Sequence, residues 1–586
     1  MERYLDLEYR GEGNCAIVFA NPKTKQVYRL VKYNATRKMR KVLQNACSEP
    51  HEDLKTIKTA IQTELGNVIS YMKNVMRPLL SNRYVMTPKL TVLPKGFGEK
   101  AIELAGQARP AHRKNSQRDI VDPDVQCALV LPDCCFVCNP GAGCLETIVE
   151  PDHIKGDDCF EIQIRPEIEG SLTDVEDLKR SNSCCSDDSL GSSPHMDQFD
   201  DSMEAHFSVV DDGDETINIY ESDDSLPHIC DSSDRRSPGN VTSESIYYHD
   251  DDVCLERDIT EKLEDSGFTL SIEIKPKKAF LSKSADLSDG GQVCRFCMHQ
   301  HLKRKSGQWP QTSSYCPLDL FSGNKLRMKH ALLSLIKTPQ NNLKICKNGR
   351  EVYGSDIRQD LSAILSNWFP VKPKRGKKWI SVFLDLVIEL LLSSPCSDTC
   401  DEDISKRGSP VVSHCLQKCE SSSFVHCDEG RSERLPHGCV LERIYSLQSL
   451  DDLDIEGVYP LYKQLKARME EEPYLIKRWC LNGPYDDVSW LLGRDGEQLD
   501  DLDPDSLDYA VLKVKRFLVS KTLQDCSIIV AIKPVTKSIQ NKQNFLRFDG
   551  ELYDFSISVV DLDPKPFEKV KTYHRQASDI ALTFAE

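Results

Sequence analysis

The chain alternates between stretches with a clear hydrophobic period and stretches with none. From Phe268 to Lys277 apolar side chains alternate with Thr269, Ser271, Glu273 and Lys275, the period-two pattern of a strand with one buried face. Pro276 has no N–H to donate and should stop the ladder, so Glu273, Lys275 and Lys277 are expected on one face at the strand's end. An edge strand with a solvated charged face has the same pattern. Near the N-terminus, Cys15 to Ala20 and Gln26 to Tyr33 read as strands joined by a turn at Asn21-Pro22. Within His51 to Leu80, residues Leu54, Ile57, Ile61, Leu65, Val68, Met72 and Met76 recur at helical spacing, one buried stripe. Cys127 to Val137 reads as a strand, Asn324 to Lys337 as a helix, and Gln340-Asn341-Asn342 as a loop entering a strand. A further helix runs through Leu465, and Ser527 to Ile532 and Tyr553 to Val560 are strands.

Two stretches lack any such period. Between Ser171 and Asp252, 22 acidic residues stand against four basic ones. The formal net charge of -17 is therefore all in this segment, and the remainder is close to neutral. Rich in Ser and poor in large apolar residues, the segment cannot bury enough to offset the entropy lost on ordering. The second stretch, Ser393 to Pro436, turns to Ser, Cys, His and charge. The expected organisation is 1–165, an acidic disordered insertion at 166–252, 253–394, a Cys/His/Ser-rich insertion at 395–436, and 437–586.

Twenty-four cysteines would suit a secreted disulfide protein only in a short chain with a signal peptide. The charged start Met-Glu-Arg-Tyr-Leu-Asp has no apolar core for one. Trp379 to Leu392, the longest apolar run, is too short to span a bilayer and contains Asp385 and Glu389. A soluble protein of a reducing compartment is expected, without membrane or nucleic-acid partners, in cytoplasm and nucleus, and monomeric. Lys372 to Lys378 reads either as a nuclear import signal or as a solvated basic loop.

Zinc spacing is nowhere clean. Cys134, Cys135, Cys138 and Cys144 have no second ligand pair and read as free thiols. Cys294, Cys297, His299 and His301 lie too close together to wrap a tetrahedral ion. His414, Cys415, Cys419, His426, Cys427, His437 and Cys439 form no paired motif. A structural zinc is not expected.

Candidate phosphate chemistry is better marked. Gly11 and Gly13 in Tyr9-Arg10-Gly11-Glu12-Gly13-Asn14 would let backbone N–H groups approach a phosphate, or simply form a hairpin turn. Arg29 on the following strand would meet a nucleotide phosphate, and strands plus one long helix outline a kinase N-lobe. Arg109 to Lys114 reads as a solvated basic turn after an amphipathic helix. Asp525 opens one C-terminal strand and Asp561 closes the other. If the strands pair as an antiparallel hairpin, the two carboxylates meet at one edge, an arrangement suited to magnesium with one acid free to take a proton. Lys565, Lys569 and Tyr573 follow at intervals of four, able to grip phosphates or to form a solvated face.

Together these stretches resemble the inositol-pentakisphosphate 2-kinase family. The matching motifs are Tyr9 to Asn14, Glu273-Ile274-Lys275-Pro276-Lys277, Met298-His299-Gln300, Pro317 to Gly323, Gln340-Asn341-Asn342, Leu453 to Gly457, Asp525-Cys526-Ser527 and Asp561 to Pro566. The resemblance implies a two-lobed, kinase-like α+β fold with two disordered insertions. It implies transfer of the γ-phosphoryl group of ATP to the axial 2-hydroxyl of inositol 1,3,4,5,6-pentakisphosphate, with Mg2+, giving inositol hexakisphosphate. Gly11, Gly13, Asn14, Arg29, Glu273 and Lys344 would lie at the nucleotide, and Asp525 and Asp561 would hold magnesium. Asp525 would also be the base and Lys275 the cation on the moving phosphoryl group. Substrate phosphates would meet Lys277, Lys303, Asn341, Asn342, Lys565, Lys569, Tyr573 and Arg113. Lys344 stands where some members carry arginine, and the zinc spacing of plant members is not reproduced. The alternative is a polyanion-binding scaffold acting through its acidic insertion.

Overall fold

A computed structural model describes residues 7–13, 15–32, 54–94, 96–109, 121, 127–138, 267–281, 293–373, 377–394, 434–492, 502–535 and 544–585. The acidic insertion, the second insertion as far as residue 433, Asn14, Arg113, Cys144 and His414 to Cys427 lie outside them. The described part is mixed α and β, built on two antiparallel sheets.

The first sheet has the order β1-β2-β3-β5-β4, with β1 Glu8–Glu12, β2 Ala16–Asn21, β3 Gln26–Val31, β4 Lys89–Val92 and β5 Cys127–Pro132. The glycine-bearing segment is itself mostly strand. Gly11 lies at a register irregularity in β1, and the turn is confined to the residues around Gly13, whose N–H donates to the Ala16 carbonyl at 2.8 Å. Asn21 ends β2 as expected, its Oδ1 accepting from the Lys23 and Thr24 N–H groups.

Arg109 is not solvated. It follows α2 (Phe97–Ala108; α1 is introduced below) and is buried, donating to Glu12 through Nε at 2.8 Å and Nη2 at 2.9 Å. Lys32 Nζ approaches the same carboxylate at 2.7 Å, and all three side chains are nearly inaccessible. Two cations on one carboxylate tie the end of β1 to β3 and α2.

Helix α1 (Leu54–Ser70) continues through a π turn, Tyr71–Met76, into Arg77–Leu80. Ile61, Leu65, Val68, Met72 and Met76 are buried as their spacing predicts, and the wider turn brings in Tyr71 and Val75 as well. These side chains join the core of the second sheet.

That sheet has the order β10-β11-β9-β6-β7-β8, with β6 Leu270–Ile274, β7 Leu343–Lys347, β8 Arg350–Tyr353, β9 Ser527–Pro534, β10 Phe545–Phe548 and β11 Glu551–Val560. Strand β6 is central, paired on both sides, so the edge-strand reading fails. Its polar positions are covered too: Thr269 and Ser271 are buried along with Leu270, Ile272 and Ile274. Two covered faces replace the single one expected, because small hydroxyl side chains tolerate burial where Glu273 remains partly exposed. Strand β10 adds an edge within the connection between β9 and β11.

Around this sheet run α3 Arg295–Lys305, α4 Lys325–Lys337, α5 Leu361–Trp368, α6 Trp379–Leu391, α7 Val440–Gln448, α8 Asp454–Glu471, α9 Leu507–Asp525 and α10 Lys569–Ala585. The apolar run forms α6, where Asp385 pairs with Lys329 and Glu389 with Lys325, both at 2.6 Å. Among the described residues no helix is long and apolar enough to cross a membrane. Cys439 caps α7, its Sγ accepting from the Glu442 N–H. Gly457 in α8 is set by a close approach, since a Cβ there would lie 2.9 Å from Leu453 Cβ. A second apolar cluster joins α8, α9 and α10 through Val458, Tyr462, Phe517 and Val570.

Against the burial that pushes it up, Arg109 and Lys32 hold the Glu12 carboxyl below its ordinary value. Glu12→Gln removes the carboxylate charge that these two buried cations share and is expected to cost ~3–5 kcal/mol in denaturant unfolding. In the parent protein this contribution is present above the unfolded carboxyl value of about 4.3 and fades as pH falls through the lowered folded value.

Candidate active site

At the end of β6 the ladder extends one step, the Lys275 N–H donating to the Asn342 carbonyl at 2.9 Å. Pro276 ends it. Lys277 turns into the left-handed region at φ +63°, and Tyr315 Oη donates to the Pro276 carbonyl at 2.8 Å. For a side chain with a Cβ this backbone costs ~1–2 kcal/mol, so the surroundings must hold it. The turn breaks the strand alternation, and Lys277 reaches the site from a different direction than a continued strand would allow.

Strands β9 and β11 pair with Ser527 opposite Val560, so Asp525 and Asp561 emerge at the same sheet edge, as the hairpin argument requires. Asp525 is the last residue of α9, the negative end of a helix, where a carboxylate is disfavoured. Lysines compensate. Lys565 Nζ lies 3.1 Å from Asp525 Oδ2 and Lys277 Nζ lies 3.6 Å from Oδ1. Asp561, at φ +62°, receives Lys275 Nζ at 3.2 Å and the Ser527 hydroxyl at 3.1 Å. Both carboxylates are about half exposed.

The electrostatics follow from this sharing. Burial works against the Asp525 charge, but Lys565, Lys277 and Lys275 together hold its carboxyl below the usual range. Burial also works against Lys275, and Asp561, Glu273 and Asp525 outweigh it, so its pKa rises. Lys277 goes the other way: burial, with Lys275 and Lys303 adding and Asp525 opposing, brings it down to about 8. Lys303, in the last turn of α3, is lowered by burial.

His299 had no assigned role. One turn before Lys303 on α3, it is brought by burial and by Lys303 and Lys277 to about 4, a neutral imidazole among ammonium groups. The spacing of four between His299 and Lys303 places them on one face of the helix and was visible in the sequence. Tyr573 lies beside Lys565 and Asp525, its ring 5.4 Å from Lys521 Nζ. Lys569 is exposed at the start of α10, and Lys565 precedes that helix.

On the other side of β6, Glu273 faces Lys344 across the β6–β7 register, and Lys344 Nζ lies 3.1 Å from Glu351. A Cβ on Gly11 would lie 3.9 Å from that Nζ, so β1 comes close to it. Arg29 forks onto Asp563, with Nη1 to Oδ1 at 2.6 Å, joining β3 to the segment after Asp561. Asp563 was not among the sequence candidates. Asn341 is exposed, whereas Asn342 is buried, its Nδ2 donating to Gln340 Oε1 at 3.4 Å.

The family model for inositol-pentakisphosphate 2-kinase matches residues 9–185 and 186–579. The chain belongs to the inositol-pentakisphosphate 2-kinase family. A zebrafish (Danio rerio) inositol-pentakisphosphate 2-kinase is 35% identical over 351 residues, 56% of this chain and 70% of that protein. The family's rice (Oryza sativa subsp. indica) member is 30% identical over 52% of this chain and 58% of its own length. The Arabidopsis thaliana member is 24% identical over 54% and 60%. The chain thus spans less than two thirds of these plant relatives.

One cluster in this family member lies apart from the charges. The sulfurs of Cys294, Cys297 and Cys316 all lie within 4.8 Å of one another. Hydrogen bonds from Cys297 and Cys316 hold the Cys294 thiol well below the usual thiol range. The four-ligand grouping of Cys294, Cys297, His299 and His301 weighed above is therefore replaced: the third sulfur comes from after Tyr315, and His299 belongs with the lysines. Cys134, Cys135 and Cys138 are not in disulfides.

Lysine NMR after reductive 13C-methylation measures the Lys277 titration directly, and a midpoint near 8 is expected. Asp525→Asn should move it lower, because that carboxylate is the group opposing the burial.

Proposed function

We propose that this protein is an ATP-dependent inositol-pentakisphosphate 2-kinase of two-lobed, kinase-like architecture. It transfers the γ-phosphoryl group of ATP to the axial 2-hydroxyl of inositol 1,3,4,5,6-pentakisphosphate and produces inositol hexakisphosphate. The observation that carries this reading is the meeting of Lys275, Lys277, Lys303 and Lys565 with Asp525 and Asp561 at one sheet edge, in a member of the 2-kinase family. A binding-only scaffold is not favoured.

The ammonium groups of Lys277, Lys303 and Lys565 would take substrate phosphates, exchanging a carboxylate partner for a phosphate. That exchange relieves the charge that now depresses Asp525, so its affinity for a proton rises as substrate binds. Asp525 would then orient the 2-hydroxyl and accept its proton, while Lys275 stabilises charge on the transferring group. In a loose transition state such positioning and charge compensation carry most of the catalysis. Glu273, Lys344 and Arg29 would border the nucleotide. Asp525 and Asp561 offer the hard oxygen ligands that suit Mg2+, which would supply charge neutralisation on the phosphates. Cys294, Cys297 and Cys316 offer soft ligands for a structural zinc, joining the N-terminus of α3 to the segment whose Tyr315 holds Pro276.

Incubation with Mg-ATP and the pentakisphosphate should yield the hexakisphosphate, identified by NMR; no product from folded protein refutes the assignment. Asp525→Ala should reduce turnover by ~10²-fold or more while calorimetric binding of the pentakisphosphate persists. Metal analysis of purified protein should find zinc, and Cys316→Ser should lower both its content and the melting temperature. A metal-free, fully stable parent protein would overturn the zinc assignment.

A further inference from the structure

Gln448, the last residue of α7, is completely buried. Its Nε2 donates to the Lys277 carbonyl at 2.9 Å and to the Leu523 carbonyl at 3.1 Å, while its Oε1 accepts from the Ala279 N–H at 2.8 Å. Ser520 Oγ, from α9, donates to the main-chain carbonyl of Gln448 at 2.8 Å. A primary amide has two donor hydrogens and a carbonyl oxygen, and here both kinds of group are directed at backbone.

The partners belong to two particular segments. One is the turn that carries Lys277 in its left-handed conformation. The other is the last turn of α9, where Leu523 precedes Asp525 by two residues and offers one of the carbonyls that a helix end leaves without an intrahelical donor. Lys277 Nζ and Asp525 Oδ1 stand 3.6 Å apart across this junction. Glutamine suits the position through its length and its donors: methionine keeps the volume but makes none of these bonds. Glutamate would set carboxylate oxygen against two carbonyl oxygens. Tyr315 Oη, on the Pro276 carbonyl, holds the same turn one residue earlier.

We propose that Gln448 is a positioning residue for phosphoryl transfer. By joining the Lys277 turn to the end of α9, it sets where the inositol phosphates lie relative to the Asp525 carboxylate that receives the hydroxyl proton. The proposal rests on the 2-kinase reading, and wild-type protein that makes no hexakisphosphate would remove that reading before Gln448 is tested.

The test is a double-mutant cycle with Gln448→Met, Lys277→Ala and the pair, measuring kcat and KM for each substrate alongside thermal unfolding. Gln448→Met is expected to lower kcat/KM for the pentakisphosphate by about tenfold or more, leave the KM for ATP within about twofold, and add little to Lys277→Ala. Losses that multiply, or a parallel rise in the KM for ATP, would overturn the proposal and reduce Gln448 to a core hydrogen-bonding group. Should Gln448→Met fail to fold, Tyr315→Phe removes the neighbouring contact on the same turn and runs through the same cycle. A multiplying loss there would equally overturn the claim that this turn acts through Lys277.

Discussion

Ammonium groups do not crowd together out of water without counter-charge. At the end of β6, Lys275 and Lys277 are joined by Lys303 and Lys565, and in this structure the counter-charge is supplied by Asp525 and Asp561. The two carboxylates with which a 2-kinase would bind metal and take up a proton thus also pair with the lysines proposed to meet substrate phosphates. Substrate phosphates and a divalent cation would separate the two roles, lysines going to phosphate and aspartates to metal. Lys277, already brought to about 8, is the member of the set with most to gain from a polyanion.

Such a cluster needs rigid backbone under it, and the fold provides this through buried polar groups next to the charged ones. Lys278 is buried and paired with Asp454, to which Arg295 also lies close, at 3.6 Å; Arg295 reaches Glu456 at 2.6 Å. A buried pair of this kind is poor evidence of stability but fixes how segments meet. Here it joins the turn after Lys277 to the start of α8 and to the first residue of α3, the helix that carries His299 and Lys303. Gln448 and Tyr315 act on the same turn from other sides.

The meeting of Asp525 and Asp561 was legible in the sequence because it required only two strand ends and an antiparallel pairing. The central place of β6 was not, since its partners β7 and β9 lie far along the chain and Thr269 and Ser271 carry no mark of burial. Arg109 sits in a run of cations that looks solvated; the carboxylate that buries it, Glu12, is about a hundred residues away. The sulfur triad escaped a search by local spacing because Cys316 reaches Cys294 and Cys297 only through the fold. His299 could have been found, since its interval from Lys303 is one helical turn. The burial of Asn342, an amide suited to phosphate, in the turn before β7 carried no mark in the sequence either.

On the proposed 2-kinase reading, Lys277 would exchange its partial pairing with Asp525 for full pairing with a substrate phosphate. Following the 13C-methylated Lys277 amine through a pH titration with saturating inositol pentakisphosphate tests it directly. The exchange predicts that the midpoint rises from about 8 into the ordinary lysine range, above about 10. A midpoint that stays near 8 with the polyanion bound would contradict it.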